Sequence, residues 1–143
     1  MMTATRTLII DQDASRVGRW MEQQGSGPYR AGATAIGLER EGELIAGTSY
    51  DCCNGASVFC SIAITGPITR EWLWFIFYYP FVQLGAKVLL GLVNHDNAKS
   101  HRLIRHLGFT EVEELHDAHP TGSLFLYRMN REQCRFLQRK PHE

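Results

Sequence analysis

The segment from Val88 to Phe109 limits the fold more than any other part of the chain. It opens on an unbroken apolar run, Val88-Leu89-Leu90-Gly91-Leu92-Val93. It then passes through Asn94-His95-Asp96-Asn97 into Ala98-Lys99-Ser100-His101-Arg102-Leu103-Ile104-Arg105-His106-Leu107-Gly108-Phe109. A short apolar run without polar alternation fits a strand covered on both faces. Either Asp96 or Asn97 can accept a hydrogen bond from a free amide of the first helical turn. Leu103, Ile104 and Leu107 form one apolar stripe along a helix. Arg102, Arg105 and His106 fall in its later turns, where positive charge suits the dipole. Gly108 fits the left-handed stop position, and Phe109 can fold back on the helix. Asn97, Ser100 and Ile104 share a face. That face starts at a helix N-terminus, where free amides favour an anionic or polar ligand. On spacing alone, the same Asn and Ser serve equally well as plain caps.

The rest of the chain places this unit in an order of elements. The pattern predicts strands over 7–10, 33–39, 44–50 and 57–64, with Glu41-Gly42 as the turn of a hairpin. A short amphipathic helix is predicted over 14–21, followed by a Gly/Ser/Pro-rich loop over 23–32. Thr65-Gly66-Pro67 ends the fourth strand, and Thr69 can cap a helix that runs towards Gly85. A strand over 87–94 and a helix over 98–107 follow. Runs 111–117 and 123–129 bracket Pro120-Thr121-Gly122 as a hairpin, and 131–139 reads as a short last helix. This order gives a mixed sheet with helices on both faces.

Asn97, Ser100, Gly108 and Phe109 at these intervals resemble the late motif of the GNAT acetyltransferase superfamily. The match is closest to the branch that acetylates ribosomal-protein N-termini and related substrates, and it runs from about Ala56 to Tyr127. The resemblance implies an α+β GNAT fold, with a central twisted mixed sheet of six to seven strands and helices on both faces. In that fold the strands corresponding to 57–64 and 87–94 splay apart, and acetyl-CoA enters the gap as co-substrate. It implies Asn97 and Ser100 beside the pantetheine arm, and Ile64, Thr65, Gly66, Thr69 and Arg70 along the rest of the co-substrate. The family's phosphate loop, Gln/Arg-x-x-Gly-x-Gly/Ala, corresponds to Thr65-Gly66-Pro67-Ile68-Thr69-Arg70-Glu71, which holds one glycine and a proline without an amide. Thr69 and Arg70 still precede a helix, whose N-terminus and nearby cation can hold phosphate.

The tyrosine that many members use as general acid falls at Ile104, which cannot donate a proton. Ser100, one turn earlier, is the substitute, and Asn94 is the second catalytic candidate. Ser61 and His95 are further polar groups nearby. No carboxylate lies in 57–64. A water chain can take the proton of an amine, and positioning can supply most of the acceleration. The reaction implied is acetyl transfer from acetyl-CoA to a small-molecule or protein amine. Two other functions fit the same fold. The eroded phosphate loop and the ending 127–137 look like short bacteriophage proteins, so DNA base modification of the phage Mom type is one. A non-catalytic binding protein is the other.

Composition bounds these readings. A chain of 143 residues suffices for one domain, 1–143, with a real core. Charge is balanced at 15 basic and 15 acidic residues, without the surplus of a dedicated nucleic-acid binder. Lys99, Arg102 and Arg105 read as a solvated helix face. Cys52, Cys53, Cys60 and Cys134 match no zinc spacing and suggest reduced thiols in a cytoplasmic protein, with Cys60 in the core. His116, Asp117 and His119 on a strand do not converge, so no metal is expected. The N-terminus lacks a signal pattern. The apolar stretch 72–92 is broken by Pro80, Gln83, Gly85 and Lys87, which excludes a membrane span. The predicted helix from Thr69 carries Trp72, Trp74, Phe75, Phe77, Tyr78, Tyr79 and Phe81, more than one core face buries. Either the C-terminal segment shields this surplus or a homodimer contact does. Pro80 should kink or interrupt the helix. Tyr127 reads as a core tyrosine with a satisfied hydroxyl, or as a wall of the acceptor cleft.

Overall fold

The computed structural model describes residues 8–138, and the statements below concern those residues. The elements run β1 (Leu8–Asp11), α1 (Ala14–Gln23), β2 (Thr34–Arg40), β3 (Glu43–Asp51), β4 (Ser57–Ile64), α2 (Arg70–Tyr78), β5 (Val88–Asn94), α3 (Ala98–Leu107), β6 (Thr110–His119) and β7 (Gly122–Asn130). They form one seven-stranded sheet in the order β1-β2-β3-β4-β5-β7-β6. β4 and β5 are parallel, and every other neighbouring pair is antiparallel. The mixed α+β architecture is the expected one. Glu41 and Gly42 both have positive φ, which gives the β2–β3 hairpin a turn that matches strand twist.

Strand alternation sends the helices to opposite faces. Gly37 and Gly47 are cross-strand partners and turn towards α1. A Cβ on Gly37 would stand 2.8 Å from Val17 Cγ2, so the glycine pair lets α1 bed closely on β2 and β3. Tyr50, three residues beyond Gly47, turns the other way and donates its hydroxyl to the carbonyl of Ile76 in α2. The main core lies on that side, with Trp72, Ile76, Phe77, Phe81, Leu89, Ile104, Tyr127 and Met129 buried together.

Pro80 ends the α-helix as expected. α2 stops at Tyr78, and Tyr79–Gln83 forms a wide π-helical turn closed by the Leu84 amide on the Tyr79 carbonyl at 3.0 Å. The C-terminal segment does shield part of the aromatic helix, since Phe136 stacks flat on Phe77 with ring centroids 5.0 Å apart. Trp74, Tyr78 and Val82 remain in a shallow surface groove with Leu137.

Two expectations are corrected. The helix predicted over 131–139 is two 3₁₀ turns, Arg131–Gln133 and Arg135–Leu137, parted by Cys134. Cys134 and Phe136 both pack inward, and a two-residue spacing cannot share one helical face. Arg139 lies outside the described residues, as does Thr7 of the first predicted strand. β5 is not covered on both faces, because Leu92 is 43% exposed. The covering helix α1 lies over β2 and β3 instead. Among the described residues, no helix is long and apolar enough to cross a membrane.

Candidate functional site

β4 and β5 pair over three residues only, from Ser57↔Val88 to Phe59↔Leu90. Beyond that point each strand keeps its outer neighbour. β3 follows β4 to Ile64, and β7 follows β5 to Asn94. Both strands therefore stay extended while they diverge, and a gap opens between them. The Thr65 amide donates to the Ile45 carbonyl at 2.7 Å, which fixes the parity of β4. By alternation, the amide and carbonyl of Ile62 and of Ile64 turn from β3 into the gap. They offer a sheet edge to an extended ligand that carries amides of its own.

A cavity of about 710 Å³ fills this gap. Its walls come from β4, the ends of β3 and β5, one face of α3 from Lys99 to Leu107, Leu124 of β7, and α1 with the loop that leads to β2. Asn97 is the N-cap of α3, and its Oδ1 accepts from the Ser100 amide at 3.1 Å. Of the two capping candidates, the structure thus selects Asn97 over Asp96. Gly108 ends the helix at φ 108°, as its position predicts.

The turn before α3 is locked from below. The Asn94 carbonyl accepts from the Asn97 amide at 3.1 Å and lies 3.0 Å from His101 Nε2. A carbonyl cannot donate, so His101 carries its proton on Nε2. His101 Nδ1 then accepts from the Tyr127 hydroxyl at 2.7 Å. Tyr127 is fully buried, which makes it the core tyrosine and not a cleft wall.

No family model and no curated protein matches the chain. Solved structures do match. A Vibrio cholerae/hSSAT chimera of the spermidine N-acetyltransferase SpeG superposes with a TM-score of 0.69 over 92% of this chain and 99% of that one, at 14% identity. The yncA protein of Salmonella typhimurium, solved with its cofactor acetyl-CoA, gives 0.64 over 87% and 94%, at 15% identity. The Campylobacter jejuni N-acetyltransferase PseH, in complex with acetyl-CoA, gives 0.59 over 87% and 99%, at 11% identity. The chain has the GNAT fold.

Within the GNAT fold the predicted site residues divide into two groups. Ile64, Thr65, Asn94, Asn97 and Ser100 line the cavity, and so does Ser61. Gly66, Thr69 and Arg70 do not line it. The chain leaves the wall at Thr65, whose amide and hydroxyl both reach the Ile45 carbonyl. Gly66 then lies against Ile45, and Thr69 caps α2 by accepting from the Trp72 amide at 3.0 Å. Arg70 begins α2 and is exposed. His95 turns away from the cavity, with Nε2 3.0 Å from Thr121 Oγ1.

Several wall residues escaped the sequence reading. Tyr29 and Arg30 reach the cavity from the loop after α1, and Asp51 and Cys52 reach it from the end of β3. Arg30 Nε and Asp51 Oδ2 form an ion pair at 2.8 Å. The Tyr29 ring packs over Gly18, where a Cβ would stand 2.1 Å from its Cδ1. A glycine inside an otherwise amphipathic helix was the available signal for that contact. Burial pushes the Cys60 thiol up to about 12, so it is neutral and inert at physiological pH. Among the described residues, no three His, Cys, Asp or Glu side chains gather as metal ligands.

Proposed function

We propose that this protein transfers the acetyl group of acetyl-CoA to an amine. The observation that carries the reading is one cavity that contains both the unpaired edge of β4 and the N-terminus of α3. The exposed amide and carbonyl groups of Ile62 and Ile64 suit the two amides of a pantetheine arm, held as an added strand. Asn97 and Ser100 flank that arm from α3. Thr69 and Arg70 at the start of α2 are assigned to the phosphates, beyond the wall that ends at Thr65. Acetyl-CoA in the yncA and PseH structures, and the amine acceptor named for SpeG, support the assignment by fold.

In this reaction the amine nitrogen forms a bond to the thioester carbon, and the carbon–sulfur bond breaks. The amine loses a proton to water. The Ser100 hydroxyl supplies a proton to the departing sulfur and is replenished from solvent, since Ile104 has none to give. Asn94 at the rim holds the amine against the thioester, and this positioning provides much of the acceleration. Isothermal titration with acetyl-CoA tests the reading, with saturable binding at one site per chain expected. No binding at millimolar acetyl-CoA would overturn it. Ser100→Ala is expected to lower kcat about 100-fold.

A further inference from the structure

We infer that the acceptor is a small amine with a single nitrogen on an apolar body, and that the body sits on the open sheet face of β5 and β7. The inference rests on the acetyl-transfer reading above. A Cβ on Gly91 would stand 3.0 Å from Ile104 Cδ1, so Gly91 faces α3 and its neighbours Leu90 and Leu92 face the other side. That is the side on which α1 lies, but α1 packs over β2 and β3. Register pairs Leu92 with Leu126 and Asn94 with Leu124 across β5 and β7, and Leu124 with Leu115 and Leu126 with Glu113 of β6. Directly opposed residues share a face. Leu92, Leu124, Leu126 and Leu115 therefore form an apolar strip on the part of the sheet that α1 leaves open, bordered on β6 by the exposed Glu113. Leu92 is 43% exposed, and the other three are half-buried.

The strip is continuous with the cavity, because Leu92 and Leu124 belong to the cavity wall beside Asn94. A molecule lying on the strip therefore ends at the mouth of the β4–β5 gap, which makes the acceptor its occupant. The charges of the wall narrow the class further. Its carboxylate is Asp51, which Arg30 already holds at 2.8 Å, and Lys99 adds a second cation. A polyamine needs several free carboxylates for its several ammonium groups, and beyond the paired Asp51 the strip adds one, Glu113 opposite Leu126. One amine at Asn94 and an alkyl or aryl body over Leu92 and Leu126 match both the charge and the apolar surface.

The test uses the full chain with acetyl-CoA and follows thiol release with hexylamine, 2-phenylethylamine and spermidine. Hexylamine and 2-phenylethylamine are expected to exceed spermidine at least tenfold in kcat/KM. Leu92→Gln and, separately, Leu126→Gln should each raise the KM for hexylamine about tenfold, and Leu126→Gln, outside the cavity wall, should hold kcat and the Kd for acetyl-CoA within about twofold. Leu92 is part-exposed, so its variant keeps the core, and melting curves check both proteins. A preference for spermidine, or an unchanged hexylamine KM in both folded variants, overturns the inference. If acetyl-CoA binds but neither apolar amine is acetylated, the inference falls and the acetyl-transfer reading stands. If acetyl-CoA does not bind, both fall.

Discussion

Gly18→Ala separates what holds the fold from what shapes the cleft. Gly18 sits inside α1 and is buried under the Tyr29 ring. A new Cβ would stand 2.1 Å from Cδ1, 2.7 Å from Cε1 and 2.9 Å from Cγ of that ring. Contact with Cγ means that the whole ring must swing aside, and the loop with it. Alanine in place of glycine favours a helix interior by about 1 kcal/mol. Stripping a half-buried tyrosine of part of its cover costs about 1 kcal/mol, less than the full burial of a large side chain. The two effects offset, so denaturant unfolding should place the variant within about 1 kcal/mol of wild type. Function should not be spared. Tyr29 and Arg30 both line the cavity, and Arg30 fixes Asp51 from the same loop. The acceptor KM is expected to rise about tenfold through misplacement of this wall, with acetyl-CoA affinity unchanged. In a Tyr29→Ala background the clash is gone, and Gly18→Ala should then stabilise by about 1 kcal/mol. A loss of 3 kcal/mol or more in the single variant would refute the balance. An unchanged acceptor KM would refute the placement of the loop in the working cleft.

Further outcomes follow from the cap and from the buried thiol. Asn97→Ala should cost about 1 kcal/mol of stability in urea unfolding, and Asn97→Ser should recover most of it, because serine also caps. Titration should show acetyl-CoA binding weakened in both, since serine lacks the side-chain amide; full recovery by serine would reduce Asn97 to a cap. Ellman's reagent on the native protein should label the exposed Cys52 and Cys53 and spare the buried Cys60 and Cys134. The Cys60 thiol is raised from 9.0 to about 12 by burial. Below pH 9 it is protonated in both folded and unfolded chains. Above pH 9 only the unfolded chain loses the proton, so stability falls as pH rises from 9 towards 12. The stability advantage of wild type over Cys60→Ala should therefore shrink by about 1.4 kcal/mol per pH unit in that window. A constant difference between pH 8 and pH 11 would contradict the burial.

The segment from β5 to Phe109 was legible because its signals are local. A cap, a stripe at helical spacing and a glycine stop lie within one helix length, and α3 forms over Ala98–Leu107 as predicted. What was illegible depends on distant partners. Asp96 and Asn97 cap equally well on paper, and the choice follows from the Asn94 turn that His101 and Tyr127 hold in place. The phosphate-loop equivalents Gly66, Thr69 and Arg70 leave the cavity wall because Thr65 bonds to Ile45, a contact 20 residues away in sequence. Cys134 and Phe136 look helical in isolation and become two short turns because both are drawn into one core. Leu92 belongs to a run that reads as doubly covered, yet α1 is too short and too far across the sheet to reach it. The cleft's loop residues carry no periodicity, so Tyr29 and Arg30 became visible only through their packing on Gly18 and Asp51.

The central claim is that the divergence of β4 and β5 is a binding site for the pantetheine arm of acetyl-CoA. A crystal structure of the full chain grown with acetyl-CoA tests it most directly. The account predicts density for the arm between Cys60–Ile64 of β4 and Gly91–Asn94 of β5, with its amides paired to the backbone of Ile62 and Ile64 and its thioester near Ser100 and Asn94. Density elsewhere on the molecule, or an empty gap in crystals soaked at millimolar acetyl-CoA, would contradict it.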